Sequence, residues 1–209
     1  MNSNITIIDY GLGNTLSICQ ALLYLGYRNI KISHDPLIIS QSALLILPGV
    51  GAFKEAMTNI KLRQLQEPLN REVVYKKTPI LGICLGMQLF GDVSYENGLT
   101  QGLAWIPGTI ERIEAPSLAV PHVGWNNIKI QKEAPLFLHQ KNSPNFYFDH
   151  TYHFKCPRAY ISSTCHYGTE IVSSIQKENI IGVQFHPEKS QTNGLRLFKN
   201  TLNYLLSDD

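Results

Sequence analysis

Two short runs constrain this chain more than anything else in it: "ALLILPG" (43–49) and "TPILGIC" (78–84). Each is apolar at nearly every position, and each runs into a turn bearing glycine. A strand with one wet face alternates apolar and polar residues. A run with no polar side has both faces covered, which is the condition of parallel strands carrying helices above and below. The neighbouring pattern agrees. "ITIID" (5–9) reads as a strand and "NTLSICQALLYLGY" (14–27) as a helix, with Leu16, Cys19, Leu22 and Leu23 on its apolar face and Gly26 as its stop. "NIKIS" (29–33) is a second strand, 43–49 a third, and 78–83 a fourth, with a polar helical stretch over about 54–76 between the last two and Cys84 opening the next helix. Strands and helices alternating through short joints predict an α/β fold with a mostly parallel central sheet flanked by helices.

The second half has a different texture. "LAWIPGTIERI", "PHVGWNNIKI", "NFYFDHTYHF", "AYISSTCHY" and "EIVSSIQ" are short, rich in aromatic and β-branched residues, and separated by Gly, Pro, Asn and Ser. They predict antiparallel strands that extend the same sheet. "NIIGVQF" (179–185) closes the series, and a helix with Leu195, Phe198, Leu202 and Leu205 on one stripe ends the chain. No repeat or linker interrupts, so 1–209 reads as a single domain.

Composition narrows the function classes. A chain of 209 residues buries roughly 70% of its unfolded surface and needs no disulfide or metal to hold a core. The net charge is +2, and the basic residues are scattered apart from Lys76-Lys77. That is too little for nucleic acid or an anionic membrane to be the default partner. The four cysteines form no CxxC pair, "MNSNITIIDY" has no basic signal-like segment, and no apolar run is long enough to span a bilayer. The expected compartment is the reducing cytoplasm.

The chemistry-bearing motifs lie at the ends of strands. "G82-I-C-L-G86" fits the pattern Gly-x-nucleophile-x-Gly at a strand-to-helix turn, where small flanking residues let the chain reverse and lift the nucleophile above the sheet. At a helix N-terminus, free N–H groups and the helix dipole favour the thiolate. A structural core cysteine that lies near glycines is the competing reading. A thiolate nucleophile needs a base, and the base needs a group to orient it. "Q184-F-H-P-E188" supplies both, since His186 stands at the C-terminal end of an apolar strand and Glu188 follows two residues on. A loop histidine beside a capping glutamate is the alternative. "L47-P-G-V-G-A-F53" is a glycine-rich turn after the third strand. Its N–H groups at Val50 and Gly51, with that of Leu85, could serve a developing oxyanion or simply make a strand-to-helix joint.

Together "LPGVGAF", "GICLGMQLF", "VPHVGWN" and "GVQFHPEKS" resemble the class I (triad) glutamine amidotransferase family, over about Asp9 to Asn200. The resemblance implies that Cys84 attacks the side-chain amide of glutamine, that His186 moves the proton, and that Glu188 holds the imidazole. It implies that Gln88 contacts the glutamine, that Gly49, Val50 and Gly51 form the oxyanion loop, and that the backbone at Thr151 and Tyr152 receives the substrate's α-amino and carboxylate groups. No cofactor is expected. The ammonia would pass to a separate (β/α)8-barrel cyclase subunit that forms imidazole glycerol phosphate in histidine biosynthesis. His122 and Trp125 of "PHVGWN", with Lys189, match positions at that interface. For Trp125 a buried core position is an equal alternative, and for His122 a structural role is. Two stretches depart from the family pattern: Asp149 in "FYFDHTYHF" stands where an aliphatic residue is usual, and "FGDVSYENGLTQGLAWIPG" drifts from the glycine-rich form. They leave room for a paralogue that supplies ammonia to a cyclase-like partner making amidino sugars for surface polysaccharides.

Other patterns carry less. "D9-Y-G-L-G-N-T-L16" lacks the third glycine of a dinucleotide loop. His150 and His153, three apart on an expected strand, point to opposite faces and find no third ligand, so no metal site is expected. A cysteine peptidase or thioester hydrolase, and a non-catalytic binding domain, are the rival functional classes.

Overall fold

The computed structural model describes residues 3–132, 134–140 and 143–207, so both ends of the expected 1–209 domain lie outside the described residues. Strands β1 (Ile5–Ile8), β2 (Ile30–Ser33), β3 (Leu44–Leu47) and β4 (Ile80–Ile83) alternate with helices α1 (Thr15–Tyr24), α2 (Pro36–Ser40), α3 (Phe53–Leu62) and α4 (Gln66–Asn70). The single-turn α5 (Leu85–Gln88) follows β4. The second half adds β5 (Val93–Ser94), β6 (Thr100–Gln101), β7 (Thr109–Arg112), β8 (His122–Ile130), β9 (Asn145–His150), β10 (Tyr152–Lys155), β11 (Ile161–Tyr167), β12 (Thr169–Lys177) and β13 (Ile180–Val183), and α6 (Gln191–Leu205) closes the chain.

A nine-stranded sheet in the order β2-β1-β3-β4-β13-β12-β11-β8-β9 forms the centre. From β2 to β13 its neighbours run parallel; from β13 to β9 they run antiparallel. Alternation along the parallel strands sends side chains to two separate cores. Ile5, Ile7, Leu44, Ile46, Leu81 and Ile83 pack with α1 and α6 on one face. Ile8, Leu45, Leu47 and Ile80 pack with α3, α4 and α5 on the other. Burial on both faces is why the run 43–49 has no polar position.

Four expectations need correction. "NIIGVQF" is not simply the last antiparallel strand, because β13 lies between β12, to which it is antiparallel, and β4, to which it is parallel. Its continuous burial marks it as a central strand of the parallel half. Nor do all the later strands extend the main sheet, since β10, β7, β5 and β6 build a separate four-stranded sheet. "NFYFDHTYHF" is therefore two strands, broken at Thr151, that serve different sheets. The stretch 54–76 is interrupted where Gln64 takes φ +55, which ends α3. In α1 the buried stripe is Ile18, Ala21 and Leu22, while Leu16 is 69% exposed. Those three lie at i, i+3 and i+4, and Leu16 and Leu23 fall outside that face.

Candidate active site

The site stands on the rim where β3, β4 and β13 end. β4 and β13 are parallel neighbours in register, Gly82 opposite Gly182 and Val183 opposite Ile83. The residues that follow them therefore emerge level, and the Cys84 N–H donates to the Val183 carbonyl at 2.8 Å. That pairing brings two sequence-distant motifs to one place, at the carboxyl edge where open α/β sheets carry their ligands.

Cys84 sits at φ +54, ψ −113, a strained conformation that non-glycine residues rarely adopt. The glycines beside it serve close packing. A Cβ on Gly86 would come within 1.9 Å of the Leu47 carbonyl oxygen, and one on Gly82 within 2.6 Å of the Phe90 ring. Only bare backbone lets β3, β4 and α5 meet here. The helix is a single turn, so its dipole contributes less at the sulfur than a full-length helix would. Its first N–H groups matter more. Met87 and Gln88 bond back to the Cys84 carbonyl, leaving the Leu85 N–H outside the helical bonds.

A cavity of about 220 Å³ opens above Cys84, lined also by Val50, Gly51, Leu85, Gln88, Glu96, Pro121, Asp149, His150, Thr151, Tyr152 and His186. Most of the residues singled out from sequence are thus brought together. Gly49 is not in the wall; it packs against the Gly86 nitrogen, Leu85 Cβ and the Tyr10 hydroxyl. The larger hollow of about 970 Å³ lies outside, over Glu111 to Leu118, and shares only Tyr152 with the site.

His186 and Glu188 form a buried ion pair, Nδ1 to Oε1 at 2.8 Å, with side chains 2% and 1% exposed. The other Glu188 oxygen has no partner among the described residues, so the carboxylate acts on the imidazole alone. Burial by itself would lower the His186 pKa, but the nearby Cys84 sulfur and the Glu188 carboxylate outweigh it and raise the pKa to about 10. The His186 backbone is fixed from both sides. Its N–H donates to the Tyr147 carbonyl (2.8 Å), and Ser190 Oγ donates to its carbonyl (2.6 Å) while accepting from the Tyr147 N–H (3.0 Å).

Several residues here escaped the sequence reading. Gln184, fully buried, donates from Nε2 to the Cys84 sulfur (3.6 Å) and accepts at Oε1 from Gln88 Nε2 (2.9 Å). The Cys84 thiol can also donate to the Asp149 carbonyl, at 3.8 Å. Glu96 faces the cavity and accepts from the Phe53 N–H at 2.8 Å. Tyr10 donates to the Pro48 carbonyl at 2.7 Å, and burial, with the Cys84 charge added, pushes its phenol up. Only the position of Gln184 beside "FHPE" offered a signal in sequence; the other contacts arise from chain segments that meet in three dimensions.

The positions read as an interface divide. Trp125 is 46% exposed, so it is not a core residue. It lies opposite Tyr147 in the β8–β9 ladder with the rings edge-on at 6.2 Å, and the Lys189 ammonium stands 5.5 Å over the Tyr147 ring. His122 does not share that surface. It is buried, stacked between Phe148 and Tyr167. Among the described residues no group of three or more His, Cys, Asp or Glu is placed to hold a metal, and no helix is long and apolar enough to cross a membrane.

Comparison with known proteins bears on the family of the chain. The family described as "Glutamine amidotransferase class-I" matches residues 6–204. The chain is 46% identical over 202 residues to imidazole glycerol phosphate synthase subunit HisH 2 of Vibrio vulnificus, covering 96% of this chain and 94% of that protein. It is 47% identical over 196 residues to imidazole glycerol phosphate synthase subunit HisH of Listeria monocytogenes, covering 93% of each. Among solved structures, a crystal structure of a glutamine amidotransferase superposes with a TM-score of 0.73 at 15% identity, covering 96% of this chain and 98% of the other. A glutamine amidotransferase from Thermotoga maritima superposes with a TM-score of 0.64 at 18% identity, covering 100% and 87%. At such identities the structural likeness bears on the fold alone.

Proposed function

The chain belongs to the class I glutamine amidotransferase family, and from that premise we propose that Cys84, His186 and Glu188 are its catalytic triad. The protein is a glutaminase subunit of the imidazole glycerol phosphate synthase type. The Cys84 sulfur attacks the side-chain amide carbon of glutamine, and the C–N bond breaks as His186 passes its proton to the departing ammonia. Water, deprotonated by His186, then cleaves the thioester and releases glutamate. Splitting one hard hydrolysis into two easier steps is what a covalent nucleophile contributes. Glu188 holds the imidazole and balances its charge. The Leu85 N–H and the Val50–Gly51 loop are the donors for the oxyanion, each worth about 2.7–4 kcal/mol when well placed. Gln88 holds the amide end of the substrate. Glu96 and the Thr151–Tyr152 backbone receive its α-amino and carboxylate groups.

The observation that carries this reading is the buried His186–Glu188 pair beside a strained Cys84 in one cavity. A peptidase would need a groove for a chain, whereas this cavity is small and walled by Gln88, Glu96 and Tyr152. We read the whole chain as one amidotransferase domain. Its partner is a (β/α)8-barrel cyclase docked over the exposed face of Val123, Trp125 and Lys189. The four unpaired cysteines support a cytoplasmic setting. One observation favours the paralogous partner that makes amidino sugars: the exposed acid Asp149, opposite Val123 in the ladder on that same face. Glutamate release measured alone, with the histidine-pathway cyclase, and with that cyclase and its nucleotide tests the assignment. Stimulation supports it; its absence favours the paralogue. A Cys84→Ala variant as active as wild type, or labelling by a glutamine-mimicking electrophile at another residue, removes Cys84 from the mechanism.

A further inference from the structure

Two histidines outside the triad form part of an ordered string of hydrogen bonds. His150 Nδ1 lies 2.8 Å from the Tyr152 carbonyl oxygen, His150 Nε2 lies 3.0 Å from His122 Nδ1, and His122 Nε2 lies 3.2 Å from Asn126 Nδ2. Asn126 Nδ2 also donates to the His166 carbonyl at 3.0 Å. Both ends of the string are carbonyl oxygens, which only accept, and this fixes every hydrogen in between. His150 must donate from Nδ1 to Tyr152, so its Nε2 accepts. His122 must then donate from Nδ1, so its Nε2 accepts from the Asn126 amide. A single protonation pattern satisfies every group, with both rings neutral and both carrying hydrogen on Nδ1.

The surroundings support this pattern. His122 and His150 are paired directly across β8 and β9, and both are buried. Burial lowers His122 to about 4. It lowers His150 to about 3, against the raising effect of the bond to Tyr152. The string ends on a functional atom, for the Tyr152 carbonyl that accepts from His150 also accepts from Gln88 Nε2 at 2.8 Å. His150 itself lines the cavity.

We propose that Asn126, His122 and His150 are positioning residues whose directed hydrogen-bond string fixes the Tyr152 carbonyl, and through it Gln88, for glutamine binding. This rests on the glutaminase reading of the site. The string holds two walls of the cavity, the β9–β10 turn and α5, to a strand whose next outward residues are Val123 and Trp125. Without it the Tyr152 carbonyl keeps Gln88 as a partner but loses its anchor to β8, so the substrate is held less well while the triad stays intact.

Two measurements decide it. Long-range proton–nitrogen spectra of histidine-labelled full chain, with His122 and His150 assigned by the loss of their signals in His122→Phe and His150→Phe, report which ring nitrogen carries hydrogen. Both rings are expected neutral with hydrogen on Nδ1 near neutral pH; hydrogen on Nε2, or a charged ring, at either residue overturns the proposal. Glutamine kinetics of the complex with its cyclase give the second test. His122→Phe keeps the stacking on Phe148 and Tyr167 but cuts the string. Its KM should rise about five- to tenfold, the worth of one buried hydrogen bond, with kcat within about twofold. His122→Asn, whose amide restores a donor near Nδ1, should recover most of the loss. An unchanged KM in His122→Phe overturns the proposal. A wild-type complex that releases no glutamate refutes the glutaminase reading instead, and the spectra alone then decide the string.

Discussion

Gln184 joins the two halves of the site: its amide oxygen accepts from Gln88 at 2.9 Å while its amide nitrogen donates to the Cys84 sulfur at 3.6 Å. The side chain is fully buried, so water cannot replace either bond. Gln184→Leu removes a donor to the Cys84 sulfur, which attacks glutamine as a thiolate in the proposed reaction, and leaves Gln88 with one partner fewer. Hydrogen bonds to charged groups contribute about 1.5–3 kcal/mol, so kcat/KM for glutamine should fall roughly 10- to 150-fold. Alkylation of Cys84 by iodoacetamide should slow in the same variant. Unchanged rates in both assays would mean that the sulfur does not depend on Gln184.

Glu188 has one task in this geometry, since among the described residues only its Oε1 is engaged and only by His186. Glu188→Gln keeps the shape and removes the charge. It also allows the amide to present its N–H toward His186 Nδ1, which favours the wrong tautomer. The expected loss in kcat is about 10²–10⁴, the range of general acid–base catalysis, with little change in KM. A KM effect without a kcat effect would place Glu188 in substrate binding instead.

How much of this could be read in advance follows from the range of the interactions. β3 and β4 were legible because burial on both faces leaves a local mark. The Cys84 elbow and the His186–Glu188 pair were legible because each motif is compact. β5 and β6 were not, since two-residue strands carry no periodicity. The break at Thr151 was not, since "NFYFDHTYHF" has the composition of one continuous strand and only pairing with different sheets divides it. Gln184, Glu96, Ser190 and the His122–His150 pair take their roles from residues that distant segments of the chain bring to them. Trp125 was ambiguous for the opposite reason: a tryptophan in a strand suits a core or an interface equally, and only its exposure separates the two.

Buried histidines give this fold a stability maximum. His186 is raised to about 10, with burial opposed and outweighed by Cys84 and Glu188. An unfolded imidazole titrates near about 6.5. Between those values the folded state holds the extra proton, so this contribution is fully present below about 6.5 and is lost as pH rises toward about 10. His122, His150 and His153 behave in the opposite sense. Burial lowers them to about 4, about 3 and about 4, so stability is present above about 6.5 and is lost as pH falls toward those values. The urea midpoint should be highest near neutral pH and lower on both sides. Cys84→Ser should flatten the alkaline side, and a midpoint that climbs steadily from about pH 5 to about pH 9 would contradict the assignment.

Gly86 is the tightest of the glycine contacts beside Cys84. Its added methyl would meet the Leu47 oxygen at 1.9 Å and the Leu47 carbonyl carbon at 2.8 Å. Both are backbone atoms of a central strand, so neither can swing aside. Gly86→Ala must push α5 away from β3, at a cost at or above the about 1–3 kcal/mol typical of overpacking. Thermal unfolding should shift down clearly, and Cys84 labelling by a glutamine-mimicking electrophile should fall with it. A variant as stable and as readily labelled as wild type would show that α5 does not pack on β3 in this way.

Trp125 offers a way to separate the partner's contribution from the chemistry. It is half-exposed on β8, outside the cavity, in an edge-on pair with Tyr147, over whose ring Lys189 stands. An exposed tryptophan beside a second aromatic ring and a cation has the composition of an interface hot spot, where truncation costs about 2 kcal/mol or more. Trp125→Ala should therefore weaken cyclase binding about 30-fold or more. Basal glutamate release by the isolated chain should be unchanged, because the tryptophan does not line the cavity. Titrating the cyclase against each form, with calorimetry for affinity and glutamate release for stimulation, reads both effects in one series. At saturating cyclase the variant should regain most of the wild-type rate, since it loses affinity rather than chemistry. Equal affinities for the two forms would place the docking face elsewhere on the molecule.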